Sequence, residues 1–145
     1  DIGNNCQIGV YPSPYFTTSN QYFESRFFSA KIRIGNNVYI NNGCTIICEK
    51  TEINIGDGTV IGPGFVCFDS DFHSLNPIER NSGQHKAKKV NIGENVFIGI
   101  NVTILKGVDI GDNCVIGAGL TITESIPKNS IVKGNRNEIM LISRR

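Results

Sequence analysis

Residues 69–77 (DSDFHSLNP) contain the side chains of this chain that are best suited to moving a proton. An imidazole with a pKa of about 6.5 gains and loses a proton near neutral pH, which makes His73 a candidate general base. Asp71 lies two residues earlier, and such residues project from the same face of an extended strand. Asp71 would therefore orient the imidazole; Asp69 is the alternative partner, or it binds hydroxyl groups of a substrate. The residues alone leave open that His73 is a loop histidine without a catalytic role.

Other residue types that often carry chemistry give weaker signals. His85 lies in the polar run GQHKAKK and is predicted to be a solvated loop residue. Ser74 adjoins His73, but adjacent side chains in extended chain face opposite ways, which makes a serine nucleophile a poor candidate. Two histidines are too few for a three-histidine zinc site, so we expect no metal. The five cysteines show no C-x-x-C pair, which favours reduced thiols and a cytoplasmic protein.

The composition limits the classes of function. A chain of 145 residues fits a single domain, residues 1–145. A formal net charge of +1, without a long basic run, argues against a nucleic-acid surface. No apolar run approaches the roughly 20 residues of a membrane span, and no signal peptide is expected. The first residue is Asp1 rather than Met, which is typical of a trimmed or partial chain.

A six-residue repeat organises most of the sequence. From residue 92 onward an isoleucine recurs every six residues, at Ile92, Ile98, Ile104, Ile110, Ile116 and Ile122. Small or β-branched residues follow four places later, and the same frame recurs near residues 34–46 and 55–67. Six residues suit one short strand and a turn, with the isoleucine inward and glycine or asparagine at the corner. The repeat predicts an all-β solenoid in which parallel strands of successive coils pair.

Two long segments interrupt the frame. Residues 11–31 are rich in aromatic residues and are predicted to form an irregular excursion. Residues 68–89 are predicted to form a protruding loop, and this loop carries His73. Long loops in compact folds are usually functional or disordered, which strengthens the case for a site here.

The repeat resembles the hexapeptide-repeat family of left-handed parallel β-helices. Within that family, residues 73–80 (HSLNPIER) are similar to the H-P-L-D-P-x-x-R loop of the maltose/galactoside O-acetyltransferase branch, which includes surface-polysaccharide O-acetyltransferases. Residues 92–99 (IGENVFIG) are similar to its I-G-x-N-V-W-I-G repeat, with Phe97 in place of tryptophan. Near the end, IPKNSIVKGN also matches, but Arg136 stands where the branch has proline.

This resemblance implies a left-handed β-helix of about five triangular coils and an acetyl-CoA-dependent O-acetyltransferase acting on a sugar hydroxyl. It implies direct transfer with His73 as general base, in a homotrimer whose sites lie between subunits. Asn41 and Arg80 would contact the acceptor, although Asn41 is equally interpreted as a corner residue. The positions implied for the coenzyme are Phe97, Gly99, Ala118, Thr123, Lys128, Lys133 and Arg136. The last three would meet its phosphates, with ordinary solvated charge as the alternative for each.

Two other functions compete with this interpretation. An antibiotic or xenobiotic acetyltransferase would share the fold and the histidine and would differ in the acceptor. A non-enzymatic structural β-helix, such as an ice-binding protein, would present a flat ladder of threonines. We expect Thr45, Thr59, Thr103 and Thr121 to form no such ladder, which favours an enzyme.

Overall fold

The computed structural model describes residues 1–134 and 138–141. Within them the chain forms short strands and a single 3₁₀ turn, Pro77–Glu79. The strands are β1 (Gln7–Ile8), β2 (Tyr22–Ser25), β3 (Lys31–Ile34), β4 (Tyr39–Ile40), β5 (Thr45–Cys48), β6 (Glu52–Ile55), β7 (Val60–Ile61), β8 (Val66–Phe68), β9 (Val90–Ile92), β10 (Phe97–Ile98), β11 (Thr103–Ile104), β12 (Asp109–Ile110), β13 (Val115–Ile116), β14 (Thr121–Ile122), β15 (Ser130–Lys133) and β16 (Glu138–Leu141).

The strands form three sheets, which are the three faces of a triangular solenoid. Face A has the order β12-β9-β6-β3, face B β1-β4-β7-β10-β13-β15-β16, and face C β14-β11-β8-β5-β2. Each strand pairs in parallel with the strand one coil away, and only β15 and β16 pair antiparallel among the described strands. From β1 to β14, successive strands lie on faces B, C and A in turn, which gives about five coils. This confirms the predicted left-handed parallel β-helix.

The repeated isoleucines build the core. Ile40, Ile61, Ile98 and Ile116 are register partners on face B, and all four are buried. Each buried aliphatic side chain contributes about 1.5–3 kcal/mol relative to exposure, and the parallel register stacks each on its equivalents. Cys44, Cys67 and Cys114 are also buried, in core positions of the repeat.

Tight corners set the spacing between coils. The A–B corner has left-handed backbone at Asn37, Gly58 and Asn95, where asparagine and glycine tolerate a positive φ. At the B–C corner, a Cβ added to Gly62 would lie 2.8 Å from the carbonyl carbon of Gly99 in the next coil. A side chain at Gly62 would therefore push neighbouring coils apart.

The irregular segment near the start is shorter than the sequence predicts. Residues 22–25 form β2 and pair in register with β5, and residues 31–34 form β3. The excursion from the coil is thus confined to residues between β1 and β2. Phe23 occupies the position of the repeat isoleucine and packs against the core. The sequence did not predict this strand, because it lacks the isoleucine and the following glycine of the repeat.

The outward side chains differ between the three faces. Face A carries the polar column Arg33, Asn54, Asn91 and Asp109. Face B carries the apolar column Tyr39, Val60 and Phe97, all of them exposed.

Face C bears on the expectation that the threonines form no ladder. Thr45, Thr103 and Thr121 share its outward column, and Thr103 and Thr121 are direct register partners. Val66 interrupts them, because the register of β8 puts a valine between Thr45 and Thr103.

None of the helical structure in residues 1–134 and 138–141 is long and apolar enough to cross a bilayer.

Candidate active site

The predicted loop between β8 and β9 is confirmed, and hydrogen bonds close its base. Ser70 and Ala87 form an antiparallel bridge. The Asp71 N–H donates to the Lys86 carbonyl at 3.1 Å, and the Lys88 N–H donates to the Asp69 carbonyl at 2.7 Å. Because β8 lies on face C and β9 on face A, the loop leaves the solenoid at the C–A corner.

Asp69 anchors this base from inside the protein. Its side chain is fully buried, and its carboxylate accepts from the backbone N–H groups of Glu49 (2.6 Å), Lys50 (3.0 Å) and Thr51 (2.8 Å) and from the Thr51 hydroxyl (2.9 Å). Burial alone would raise the pKa of Asp69, but these hydrogen bonds outweigh burial and lower it. A buried carboxylate with this many donors does not suit contact with acceptor hydroxyls, so we do not retain that interpretation of Asp69.

The backbone orients His73 through an unexpected turn. Phe72 has a φ of 60°, so the chain before His73 is not extended. The His73 N–H donates to the Asp71 carbonyl at 2.7 Å, and its Nδ1 lies 3.3 Å from the Arg80 carbonyl oxygen. A carbonyl oxygen only accepts, so this contact requires a proton on Nδ1, and in the neutral ring the lone pair is then on Nε2. The histidine is exposed, and its Nε2 is the atom available to accept a proton.

Asp71 has a different partner from the predicted one. Its carboxylate lies 2.5 Å from Lys106 Nζ, and the turn at Phe72 removes the shared face expected for residues two apart. The Arg80 carbonyl, rather than either aspartate, contacts the His73 ring, and the Arg80 side chain is exposed. Sequence reasoning missed Lys106. The available signal was its position at a corner of the repeat, directly before Gly107. The Gly107 N–H donates to the Lys88 carbonyl at the base of the loop.

A buried polar cluster lies behind the loop. His85 Nε2 is 2.6 Å from Glu49 Oε2, and the two side chains are only 5% and 6% exposed. The Ser70 hydroxyl donates to the same Glu49 oxygen and accepts from the Phe72 N–H at 2.9 Å. Burial would raise the pKa of Glu49, but the hydrogen bonds from Ser70 and His85 lower it. The prediction of a solvated His85 was wrong, because the loop folds it back onto Glu49.

Both histidines line one pocket of the loop. Its volume is about 400 Å³, within the range of small-molecule sites, and Asp71, Ser74 and Asn76 are also on its wall. The Ser74 hydroxyl accepts from the Asn76 N–H at 3.2 Å, which occupies it in the turn. Among residues 1–134 and 138–141, no group of three or more histidine, cysteine or acidic side chains has a metal-binding arrangement.

The residues implied for the coenzyme lie elsewhere on the solenoid. Gly99 and Ala118 stand at the B–C corner, with Lys133 close by at the end of β15. Phe97 is exposed on face B, Thr123 follows β14, and Lys128 lies at the A–B corner. Arg136 lies outside the described residues. Among the described positions, Thr123 alone shares the C–A corner with the His73 loop, and it lies two coils further along, so one chain does not gather these positions around His73.

Asn41 also lies at the B–C corner. Its N–H donates to the Ile61 carbonyl, and its side-chain oxygen accepts from the Asn42 N–H at 2.8 Å. Later coils have Gly62, Gly99 and Gly117 in the same slot. Asn41 thus shares its corner with Gly99 and Ala118, two and three coils away, and does not share a corner with His73 within one chain.

Gly99 and Ala118 differ in what they offer a ligand. The Gly99 N–H donates to the Ile116 carbonyl at 2.8 Å, and a Cβ on Gly99 would lie 2.7 Å from the Ala118 nitrogen. Close coil packing therefore explains Gly99. Ala118 is exposed, and its N–H has no hydrogen-bond partner among the residues that the structure describes. Ala118 accordingly has a backbone donor available for a ligand amide or carbonyl.

Comparisons with known proteins agree with this architecture. Residues 89–124 match the family model for the hexapeptide repeat of succinyl-transferase. Nodulation protein L of Rhizobium meliloti is 42% identical over 108 residues, which are 74% of this chain and 58% of that protein. Galactoside O-acetyltransferase of Lactococcus lactis is 35% identical over 134 residues, 92% of this chain and 58% of the enzyme. The chain thus spans less than two thirds of the length of these relatives.

A solved structure extends the similarity to nearly the whole fold. The hexapeptide-repeat acetyltransferase of Vibrio cholerae, complexed with acetyl coenzyme A, superimposes with a TM-score of 0.77 at 26% identity. The match covers 99% of this chain and 71% of that one. With its six-residue repeat and its three parallel faces, the chain is a hexapeptide-repeat β-helix that is similar to these proteins over most of its length.

Proposed function

We propose that this chain is the β-helical part of an acetyl-CoA-dependent O-acetyltransferase that acts on a sugar hydroxyl. The observation that carries the proposal is the orientation of His73, whose Nδ1 faces the Arg80 carbonyl while Nε2 is left with a lone pair on a pocket wall. The sugar acceptor is inferred from the relative named galactoside O-acetyltransferase.

The chemistry assigned to His73 is proton removal during direct transfer. The acceptor oxygen attacks the thioester carbonyl carbon while its hydroxyl proton passes to His73 Nε2. The C–S bond then breaks, and the departing sulfur takes that proton, which regenerates the neutral imidazole. Acetyl-CoA supplies the activated acetyl group as a co-substrate. The Arg80 carbonyl stabilises the imidazolium that forms between the two steps, because it accepts from Nδ1 throughout.

The proposed coenzyme position at Ala118 predicts a binding defect. Ala118→Trp is expected to raise the KM for acetyl-CoA by roughly tenfold or more, because the ring fills the corner and covers the free N–H. Since Ala118 is exposed, the melting temperature should stay close to wild type. Both quantities are measured on the same preparation.

A matched control and a contrary result are available for this test. Glu94 follows Gly93 at the A–B corner as Ala118 follows Gly117, and it is exposed, so Glu94→Trp should change neither quantity. An unchanged KM with a lower melting temperature for Ala118→Trp would mean overpacking, which costs about 1–3 kcal/mol, and would reject the coenzyme position.

We further propose that the enzyme is a homotrimer with its sites between subunits. Two observations support this. Gly99, Ala118 and Lys128 lie at other corners of one chain than the histidine loop, and face B carries the exposed apolar column Tyr39, Val60 and Phe97. Burying such a column between subunits would remove its apolar surface from water. The cytoplasmic location stays a prediction from the cysteine pattern.

Light scattering at micromolar concentration is expected to give three times the chain mass. Mixed trimers should also complement each other, because a His73→Ala subunit retains its coenzyme corner and an Ala118→Trp subunit retains its histidine. Co-expression of the two variants should therefore restore part of the activity at low acetyl-CoA. A stable monomer with full activity would exclude the shared site.

An acceptor screen tests the function itself. Release of the coenzyme A thiol is followed with acetyl-CoA and a panel of monosaccharides, oligosaccharides and antibiotics. Sugar-dependent release supports the proposal, whereas release with antibiotics alone would identify a xenobiotic acetyltransferase. No release with any acceptor would favour a non-enzymatic β-helix.

A further inference from the structure

We propose that His85 is a second acceptor-binding histidine, whose Nδ1 accepts a hydrogen bond from a hydroxyl next to the one that His73 deprotonates. The inference rests on the proposed function and assigns an additional contact to the same pocket. It predicts that the enzyme prefers acceptors with two neighbouring hydroxyls. Three observations carry it: the tautomer of His85, the lack of a partner for Nδ1, and the pocket that His85 shares with His73.

The neighbours of His85 determine which ring nitrogen carries the proton. Glu49 Oε2 accepts a hydrogen bond from the Ser70 hydroxyl, whose oxygen in turn accepts from the Phe72 N–H. The same carboxylate oxygen lies 2.6 Å from His85 Nε2. An ionised carboxylate only accepts, so Nε2 must donate to it. In the neutral ring the lone pair is consequently on Nδ1.

That lone pair is buried and unpaired. The His85 side chain is 5% exposed, and Nδ1 has no hydrogen-bond partner in the part of the chain that the structure describes. An unpaired polar atom in the interior is costly, so a donor that reaches it is strongly favoured. The contact with Glu49 fixes the ring and therefore the direction of Nδ1.

The pocket gives this nitrogen a ligand of definite chemistry. His73 and His85 line the same cavity of about 400 Å³, and in the neutral form each has one ring nitrogen that can accept a hydrogen bond. A thioester or an amide carbonyl has no proton to offer. A polyol offers two hydroxyls at once. One gives its proton to His73 and is acetylated. The other donates a hydrogen bond to His85 Nδ1 and fixes the orientation of the sugar.

Paired acceptors and paired variants test this assignment. The acceptors are methyl β-D-galactopyranoside and methyl β-D-glucopyranoside with the four monodeoxy forms of each, and the acetylated position is identified by NMR. The variants are His85→Gln, whose amide nitrogen retains the donor to Glu49 without an atom at Nδ1, and His85→Asn, whose amide oxygen replaces Nδ1 without the contact to Glu49. The value of kcat/KM is measured for every combination, with the melting temperature of each variant.

Wild type should lose about 10- to 100-fold in kcat/KM when the hydroxyl next to the acetylated one is absent. His85→Gln should lose a similar factor on the intact sugar and no longer distinguish it from that deoxy form. His85→Asn should keep the discrimination but melt at a lower temperature, because Glu49 loses a donor.

A purely structural His85 gives a different pattern. The ratio between intact and deoxy sugar would then be the same in wild type and both variants, and this would overturn the inference while leaving the acetyltransferase intact. A wild type that shows no preference for the intact sugar would overturn it equally. No transfer to any glycoside would overturn the proposed sugar acetyltransferase itself, and the inference with it.

Discussion

His73→Ala is expected to lower kcat by about 10²–10⁴-fold, the usual cost of removing a positioned general base. The expected change in stability is small, because the side chain is exposed. Its ring has one hydrogen-bond contact in the described part of the chain, to the Arg80 carbonyl. Turnover is measured with saturating acetyl-CoA and sugar, and thermal unfolding is followed on the same preparations.

His73→Asn is the control that separates orientation from base catalysis. Its amide nitrogen can still donate to the Arg80 carbonyl, but it has no basic atom in the position of Nε2. We therefore expect it to be as inactive as His73→Ala, with added imidazole restoring part of the activity of the alanine variant. Retention of more than about a tenth of wild-type turnover by either variant would remove His73 from the mechanism.

The solenoid was predictable because each coil repeats the same six-residue pattern of a short strand and a turn. Ile40, Ile61, Ile98 and Ile116 lie in one column, and six-residue spacing follows directly from a strand and a turn. The position of the histidine loop followed from the same frame, since it is where the frame stops. Strand β2 escaped prediction because Phe23 fills a core position without the isoleucine or its following glycine.

The arrangement within the loop was not predictable from spacing. A single left-handed residue, Phe72, cancels the alternation that would have put Asp71 beside the imidazole. The contact that replaces it comes from a backbone carbonyl, which has no sequence signature. His85 and Glu49 are 36 residues apart and meet only because the loop closes on the preceding coil. Periodicity describes neighbours within the coils and says nothing about such closures.

Asp69→Ala is expected to lower the free energy of unfolding by about 3–5 kcal/mol, because it leaves the backbone N–H groups of Glu49, Lys50 and Thr51 without their acceptor at a buried site. Activity should fall as well, since the same residue closes the loop that carries His73. Urea unfolding at neutral pH measures the loss. Asp57→Ala is the matched control: Asp57 also accepts a backbone N–H, from Asn36 at 2.7 Å, but it is exposed and its removal should cost much less.

Acid should produce the same loss without a mutation. The pKa of Asp69 is lower in the folded protein than in the unfolded chain, so the unfolded state binds the proton first as the pH falls. The stabilisation is therefore complete above the unfolded value of about 3.9 and disappears as the pH drops through the folded value. Unfolding free energies measured from pH 7 to pH 2 should decline less steeply below pH 4 in Asp69→Asn than in wild type. Equal slopes, or a neutral-pH loss within about 1 kcal/mol for Asp69→Ala, would mean that the corner at residues 49–51 holds the loop without this carboxylate.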